Sequence, residues 1–453
     1  MTAASDPAID GREIVPDVAG AAEVAAGEPT AGGSRRSVLF LAGSLSGGNL
    51  VAMAMRLAGG ILLGRLVAPG TLGLFAGIGL VLGYTSIAQM GVLNGVNREL
   101  PYHIGRGNVA RAHELAAAGQ AWALASGGVV SVCLLAVAAW QLVQGDLQQA
   151  AGWATNAILA MFSFYGNNGY LSITFRTSSE FVRLARVNVV EAAASIAALI
   201  LVAAFGFYGL CLRVIVAGAT STALLFRWRP VRVRPHWSRS NLRHLFLIGA
   251  PIYAVGQVHG LWTSVINSTL VLNFTGTEGM GLYAMVALGI TALEVVPAAL
   301  AQVLYPRMAQ EYGAGRDTRH LVRISIKPIL ATSAGLAVVA AVGWFAVEPA
   351  VRFLIPQYVG AVPAMQWSLL LPVVSSFQPL VSVFNVVGRQ DMYLAAVGCG
   401  IAAYVVALLV LRPDANLTAF PQAMLVGRTV FTIVSYLLVV RLQGRGAVRE
   451  ARP

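Results

Sequence analysis

About twelve apolar stretches follow one another along this chain, separated by short polar segments. Each is close to the roughly 20 residues that a membrane-crossing helix needs. The first six run near 38–66, 71–95, 114–142, 151–174, 187–206 and 208–227. A basic connector follows, and then six more near 245–273, 280–304, 324–347, 363–387, 392–411 and 417–440. The pattern predicts an all-α polytopic membrane protein of about twelve transmembrane helices in two six-helix lobes. The lobes take 37–230 and 244–441, with a connector at 231–243 and a C-terminal tail at 442–453. Residues 1–36 hold Asp6, Asp10, Glu13, Asp17, Glu23 and Glu28 against Arg12 until Arg35 and Arg36 at the end, among Ala, Gly and Pro, with no apolar core. This excludes a signal peptide or a span there and predicts a disordered cytoplasmic tail.

One stretch occurs in two altered copies. Gly64 to Gly107 is matched by Leu272 to Arg316, with Gly73-Leu74-Phe75-Ala76 facing Gly281-Leu282-Tyr283-Ala284. Gly105-x-Gly107 faces Gly313-x-Gly315 at the same offset. A hairpin repeated in two membrane halves is a mark of transporters.

Charge fixes the expected orientation. One set of connecting segments carries Arg98, Arg106 and Arg111, then Arg176, Arg183 and Arg186, then the run from Arg227 to Arg243, then Arg307 to Arg323, Arg389, and Arg441 onward. The alternate set is nearly bare, with only Arg65, Arg352 and Arg412. By the positive-inside rule both termini are cytoplasmic and the span number is even. The expected location is the cytoplasmic (inner) membrane.

Composition agrees and removes other classes. The chain is 57% hydrophobic and 11% charged, with mean hydropathy +0.71. Soluble proteins carry about 25% charged residues. The net charge of +12 is therefore read as topology and contact with anionic headgroups rather than nucleic-acid binding. The single lysine, Lys327, is followed by Pro328, so no phosphate-cradling G-x-x-x-x-G-K-[ST] loop exists. Cys133, Cys211 and Cys399 lie far apart in apolar runs and read as packing residues, with no metal spacing. The external segments are short, only 348–362 having any length, which argues against an enzyme such as a membrane glycosyltransferase or polymerase.

The stretch from Gly64 to Gly107 resembles the opening hairpin of the polysaccharide-biosynthesis (lipid-linked oligosaccharide) flippases. These belong to the multidrug/oligosaccharidyl-lipid/polysaccharide exporter superfamily. The marks are a small-residue turn, then Gly-Leu-Phe-Ala, then Gly91 to Leu100. Gly281 through Met308 and Phe353 through Tyr393 are similar to later parts of the same family. One departure is the first external turn, Ala68-Pro69-Gly70-Thr71, which lacks the acidic residues common there. The resemblance implies two helical lobes around a central cavity. It also implies translocation of a polyprenyl-diphosphate-linked oligosaccharide by alternating access. An ion gradient or the membrane potential drives this, with no cofactor. The implied partners are the lipid-linked glycan, membrane lipids, and a polysaccharide polymerase and glycosyltransferases. The alternatives are an ion-coupled multidrug exporter of the same superfamily and an assembly scaffold.

A charge at membrane depth costs about 2.5–3.5 kcal/mol on insertion scales, so it needs a partner or a watery cavity. Arg56 lies near the middle of the first span, with Asn49 seven residues earlier on one helical face. A guanidinium suits a diphosphate through its bidentate donors. Gln257 and Arg428 complete the expected cavity contacts, and Arg213 is a weaker candidate. Glu294, one turn before the expected kink at Pro297, and His259 are the coupling candidates; Glu294 is also expected to pair with Arg56 across the lobes. Glu191 is read as an interfacial partner of Arg186. Pro251 and Gly256 predict a broken seventh helix.

Overall fold

The computed structural model describes residues 33–450 apart from 179, 315 and 415. Residues 1–32 of the expected acidic tail and 451–453 of the C-terminal tail lie outside the described residues. Every regular element among the described residues is helical. The first half comprises α1 (Gly33–Leu66), α2 (Pro69–Thr85), α3 (Val92–Gly105), α4 (Val109–Val143), α5 (Leu147–Tyr165), α6 (Tyr170–Thr177), α7 (Phe181–Ala197), α8 (Leu199–Phe205) and α9 (Phe207–Arg227). The second comprises α10 (Arg239–Gly260), α11 (Asn267–Gly313), α12 (Thr318–Leu354), α13 (Val362–Ser368), α14 (Leu371–Ser375), α15 (Ser382–Val387), α16 (Gln390–Leu411) and α17 (Ala419–Glu450).

Local chemistry sets several of these boundaries. Asn108, Asp146, Ser238 and Asp317 each accept a hydrogen bond from a first-turn backbone N–H, capping α4, α5, α10 and α12. Pro69 opens α2, where its missing N–H is not needed.

Among the described residues, ten segments are long and apolar enough to cross a membrane, against the about twelve expected. Two places account for the difference. Tyr253–Tyr305 counts as one segment but contains Gly276, whose φ of 68° and ψ of −168° turn the chain. The fourth expected span is split into α5 and α6 by Gly166–Gly169, and α5 is not among the ten.

Other expectations move. The segment after residue 95, expected as a connection, continues α3 as far as Gly105, so Arg98 stands on a helix. The connector is non-helical from about 228 to 238, and α10 starts at Arg239. C-terminal residues 442–450 continue α17. The seventh span does not break at Pro251, which α10 passes through; the irregular turn is a π-helical stretch at Leu261–Ile266. Such turns leave backbone carbonyls displaced from their regular partners.

Within the halves, α1 packs on α7, α4 on α5 and α16 on α17. Between them, α2 packs on α11 and α3 on α10. The repeated glycines explain the first of these seams. A Cβ on Gly73 would overlap the Thr277 carbonyl, and one on Gly281 would overlap the Pro69 carbonyl. The two copies of the motif therefore meet each other, backbone to backbone, at the arginine-poor end. At the arginine-rich end the backbone of Gly91 and Gly95 meets that of Leu245 to Ala250 in the same manner.

Candidate functional site

Between these seams the first half holds a cavity of about 650 Å3, closed on one side by Ala284, Met285 and Leu288 of α11. It owes its charged lining to the packing of α1 on α7. Gly48 meets Ala185 so closely that a Cβ there would overlap the Ala185 side chain. That approach brings Arg56 to Glu191, with Nη2 donating to Oε2 at 2.5 Å. Both side chains line the cavity and keep access to it, being 41% and 21% exposed. Arg213 of α9 is the second arginine of the lining; its Nε donates to the Ser195 carbonyl at 3.0 Å. Ser163, Asn167, Asn168, Ser195 and Ser221 supply neutral hydrogen-bonding groups. Two arginines stand against one carboxylate, so the lining carries a net charge of +1.

Asn49 lies beside this cavity, in a chain of amides. Asn167 Nδ2 donates to Asn188 Oδ1 at 3.3 Å, and Asn188 Nδ2 donates to Asn49 Oδ1 at 3.0 Å. The Gly166–Gly169 interruption places Asn167 and Asn168 in the lining, and the polar Gly-Asn-Asn-Gly sequence in an apolar run was the available signal. The expectation for Glu191 is corrected. Its partner is Arg56, 135 positions away, rather than the adjacent Arg186, because α1 and α7 cross where sequence distance carries no information.

The other candidates fall elsewhere. Arg428 of α17 is 9% exposed and donates through Nη1 to Glu294 Oε1 and to Ser375 Oγ, the latter at 2.7 Å. The expected cross-lobe pair of Arg56 and Glu294 is thus replaced by two separate pairs, one in each half. Gln378 Nε2 donates to His259 Nε2 at 3.0 Å, and the buried His259 Nδ1 has no hydrogen-bond partner among the described residues. Asn267 joins Tyr283 and Tyr404 by bonds of 2.6 and 2.9 Å, filling the core of the second half beside Trp262. Gln257 does not line the cavity; it bridges the halves, donating to Ser86 Oγ at 2.6 Å, while Tyr253 donates to the Ser86 carbonyl at 2.6 Å.

At the arginine-rich end a smaller hollow of about 400 Å3 lies on the seam, lined by Arg98, Glu99, Tyr102, His103, Arg111 and His244. The buried Glu99 reaches His244 of the second half at 3.1 Å and His103 of its own helix at 3.6 Å. Arg111 donates to Asn241 across the same seam at 2.8 Å.

The structure is similar to an inward-facing multidrug resistance MATE family transporter of the MOP superfamily, with a TM-score of 0.68 at 17% identity, covering 89% of this chain and 96% of that one. It is similar to a variant of the Vibrio cholerae MATE transporter VcmN, with a TM-score of 0.63 at 17% identity, covering 96% and 98%. A third is a MOP superfamily transporter from Pyrococcus furiosus, with a TM-score of 0.62 at 17% identity, covering 88% and 95%; reverse polarity of its binding pocket is said to suggest a different function. These likenesses show the fold, that of the MOP-superfamily transporters. No curated protein matches the sequence significantly. The family model described as "Polysaccharide biosynthesis protein" matches residues 122–358, more than half of the chain. With the helical membrane fold, this match makes the chain a member of the polysaccharide biosynthesis protein family.

Proposed function

We propose that this protein is a flippase that moves a polyprenyl-diphosphate-linked oligosaccharide across the cytoplasmic membrane by alternating access. The observation that carries the reading is the arginine excess of the first-half cavity, Arg56 and Arg213 against Glu191. Guanidinium forks suit phosphate oxygens, and the asparagines and serines beside them suit sugar hydroxyls. A cavity of about 650 Å3 is the size of a small-molecule site, so the closed arrangement takes the diphosphate and adjoining sugar. A longer glycan requires the seams to part. The lipid tail stays in the bilayer, both termini face the cytoplasm, and an ion gradient or the membrane potential drives the cycle. The two lobes act as the moving bodies, and a polymerase and glycosyltransferases are the expected neighbours in the cell. The protein works as a transporter rather than as an enzyme.

The test is a flipping assay in liposomes with a fluorescent diphosphate-linked glycolipid. Arg56→Ala is expected to lower the initial rate at least about tenfold while the protein remains folded and inserted, the order of one lost charge-assisted contact. Normal transport by Arg56→Ala, or transport of a cationic dye in place of the glycolipid, would overturn the reading. Glu294 is proposed to carry the coupling ion. In that case Glu294→Gln loses a pH dependence that the wild type shows; identical profiles would remove that role.

A further inference from the structure

Glu191 is the one carboxylate among the residues that line the first-half cavity, and it already occupies the Arg56 guanidinium. The pair is not sealed between helices. Arg56 lines the cavity and its side chain is 41% exposed, so a ligand can approach the same guanidinium. A carboxylate and a phosphate present the same planar pair of oxygens to an arginine fork. The charged groups facing Glu191 from the packed elements are Arg56 of α1 and Arg213 of α9; the remaining polar lining, Ser163, Asn167, Asn168, Ser195 and Ser221, is neutral. With Glu191 engaged the lining carries +1, and with Glu191 turned away the two arginines together match a doubly charged diphosphate diester.

We propose that Glu191 is an internal stand-in for the phosphate of the substrate. Between turnovers its carboxylate holds Arg56 in place, and on loading the diphosphate displaces it. The statement rests on the reading of this cavity as the diphosphate site and adds a specificity-setting residue to it. Competition from Glu191 weakens the hold on the diphosphate and so permits release on the far side. Without it, two unopposed arginines would bind the anion tightly and surrender it slowly. A residue that merely pinned α1 to α7 would behave in the opposite sense, because its loss would loosen the cavity and weaken binding.

The experiment titrates inorganic pyrophosphate into the full-length protein in lipid nanodiscs by calorimetry. Glu191→Gln is expected to bind about tenfold more tightly than wild type, the effect of removing one competing charge contact. Glu191→Asp, which keeps the charge, is expected to return affinity toward the wild-type value. In an Arg56→Ala background Glu191→Gln is expected to give no tightening, since the competition acts through Arg56. In the flipping assay Glu191→Gln is expected to lower KM and kcat together. Equal or weaker pyrophosphate binding by Glu191→Gln, or the same tightening without Arg56, would overturn the proposal. A wild-type protein that moves no diphosphate-linked glycolipid, while Glu191→Gln still binds pyrophosphate more tightly through Arg56, would overturn the flippase reading and leave the stand-in role standing.

Discussion

Arg56 and Arg428 are each paired with a glutamate, yet their surroundings give them different weights. Arg428 is 9% exposed and Glu294 33%, whereas Arg56 is 41% exposed and Glu191 21%. Breaking a fully buried pair by removing one partner costs about 3–5 kcal/mol. The partial exposure of Glu294 brings the Arg428→Ala cost below that range. An exposed pair is worth about 0–1 kcal/mol. Arg428→Ala is therefore expected to lower the unfolding temperature in detergent clearly, and Arg56→Ala hardly at all, as read by a thermal melt. An equal drop for both would mean that Arg56 is a structural pin. The sequence showed these residues as charges inside apolar runs. It did not show their partners. Glu191 lies five residues from Arg186 in sequence, but the crossing of α1 and α7 brings Arg56 to it.

At the scale of elements, the repeated glycines act as contact surfaces between helices. Gly73 on α2 and Gly281 on α11 face carbonyl oxygens that cannot move aside as a flexible side chain would. Gly73→Ala is expected to force α2 away from α11 and raise the reactivity of a cysteine placed in the cavity toward a reagent added at the arginine-poor end. Gly79 on the same helix has open space where a Cβ would stand, so Gly79→Ala is the neutral comparison. It is expected to leave stability unchanged or improve it by up to about 1 kcal/mol, the intrinsic preference of a helix for alanine. Similar labelling of the Gly73→Ala and Gly79→Ala proteins would show that the seam is not held by this contact. The repeat was legible from Gly-Leu-Phe-Ala and Gly-Leu-Tyr-Ala alone. That the two copies touch each other was not, because a sequence repeat says nothing about which faces meet.

At the scale of the molecule, two seams close the same pair of halves at opposite ends. Gly73 and Gly281 mark one, and Glu99, His244, Arg111 and Asn241 mark the other. The proposed alternating access requires that one end part while the other holds. Beside its backbone contact the arginine-rich seam carries side-chain polar contacts, which can be removed without altering the helices. Glu99→Gln removes the charge that faces His244 and His103. It is expected to lengthen the distance between spin labels at the exposed positions Tyr102 and Arg243, measured by pulsed electron resonance. An unchanged distance distribution would show that the backbone contact of Gly91 and Gly95 with Leu245 to Ala250 holds this end by itself.

Hydrophobic run length determined, from sequence alone, that the chain is an all-helical polytopic membrane protein. This signal is local: the bilayer demands satisfied backbone groups and apolar surface over each span, and each span answers for itself. The boundary residues that cap helices, such as Asn108 and Asp146, are local in the same sense. Only the tertiary structure decided which charges meet, that Glu191 rather than Glu294 holds Arg56, and that Asn167 and Asn168 enter the lining while Gln257 ties the halves together. Those outcomes depend on where helices distant in sequence cross, and small residues such as Gly48 and Gly73 set those crossings by the closeness they permit.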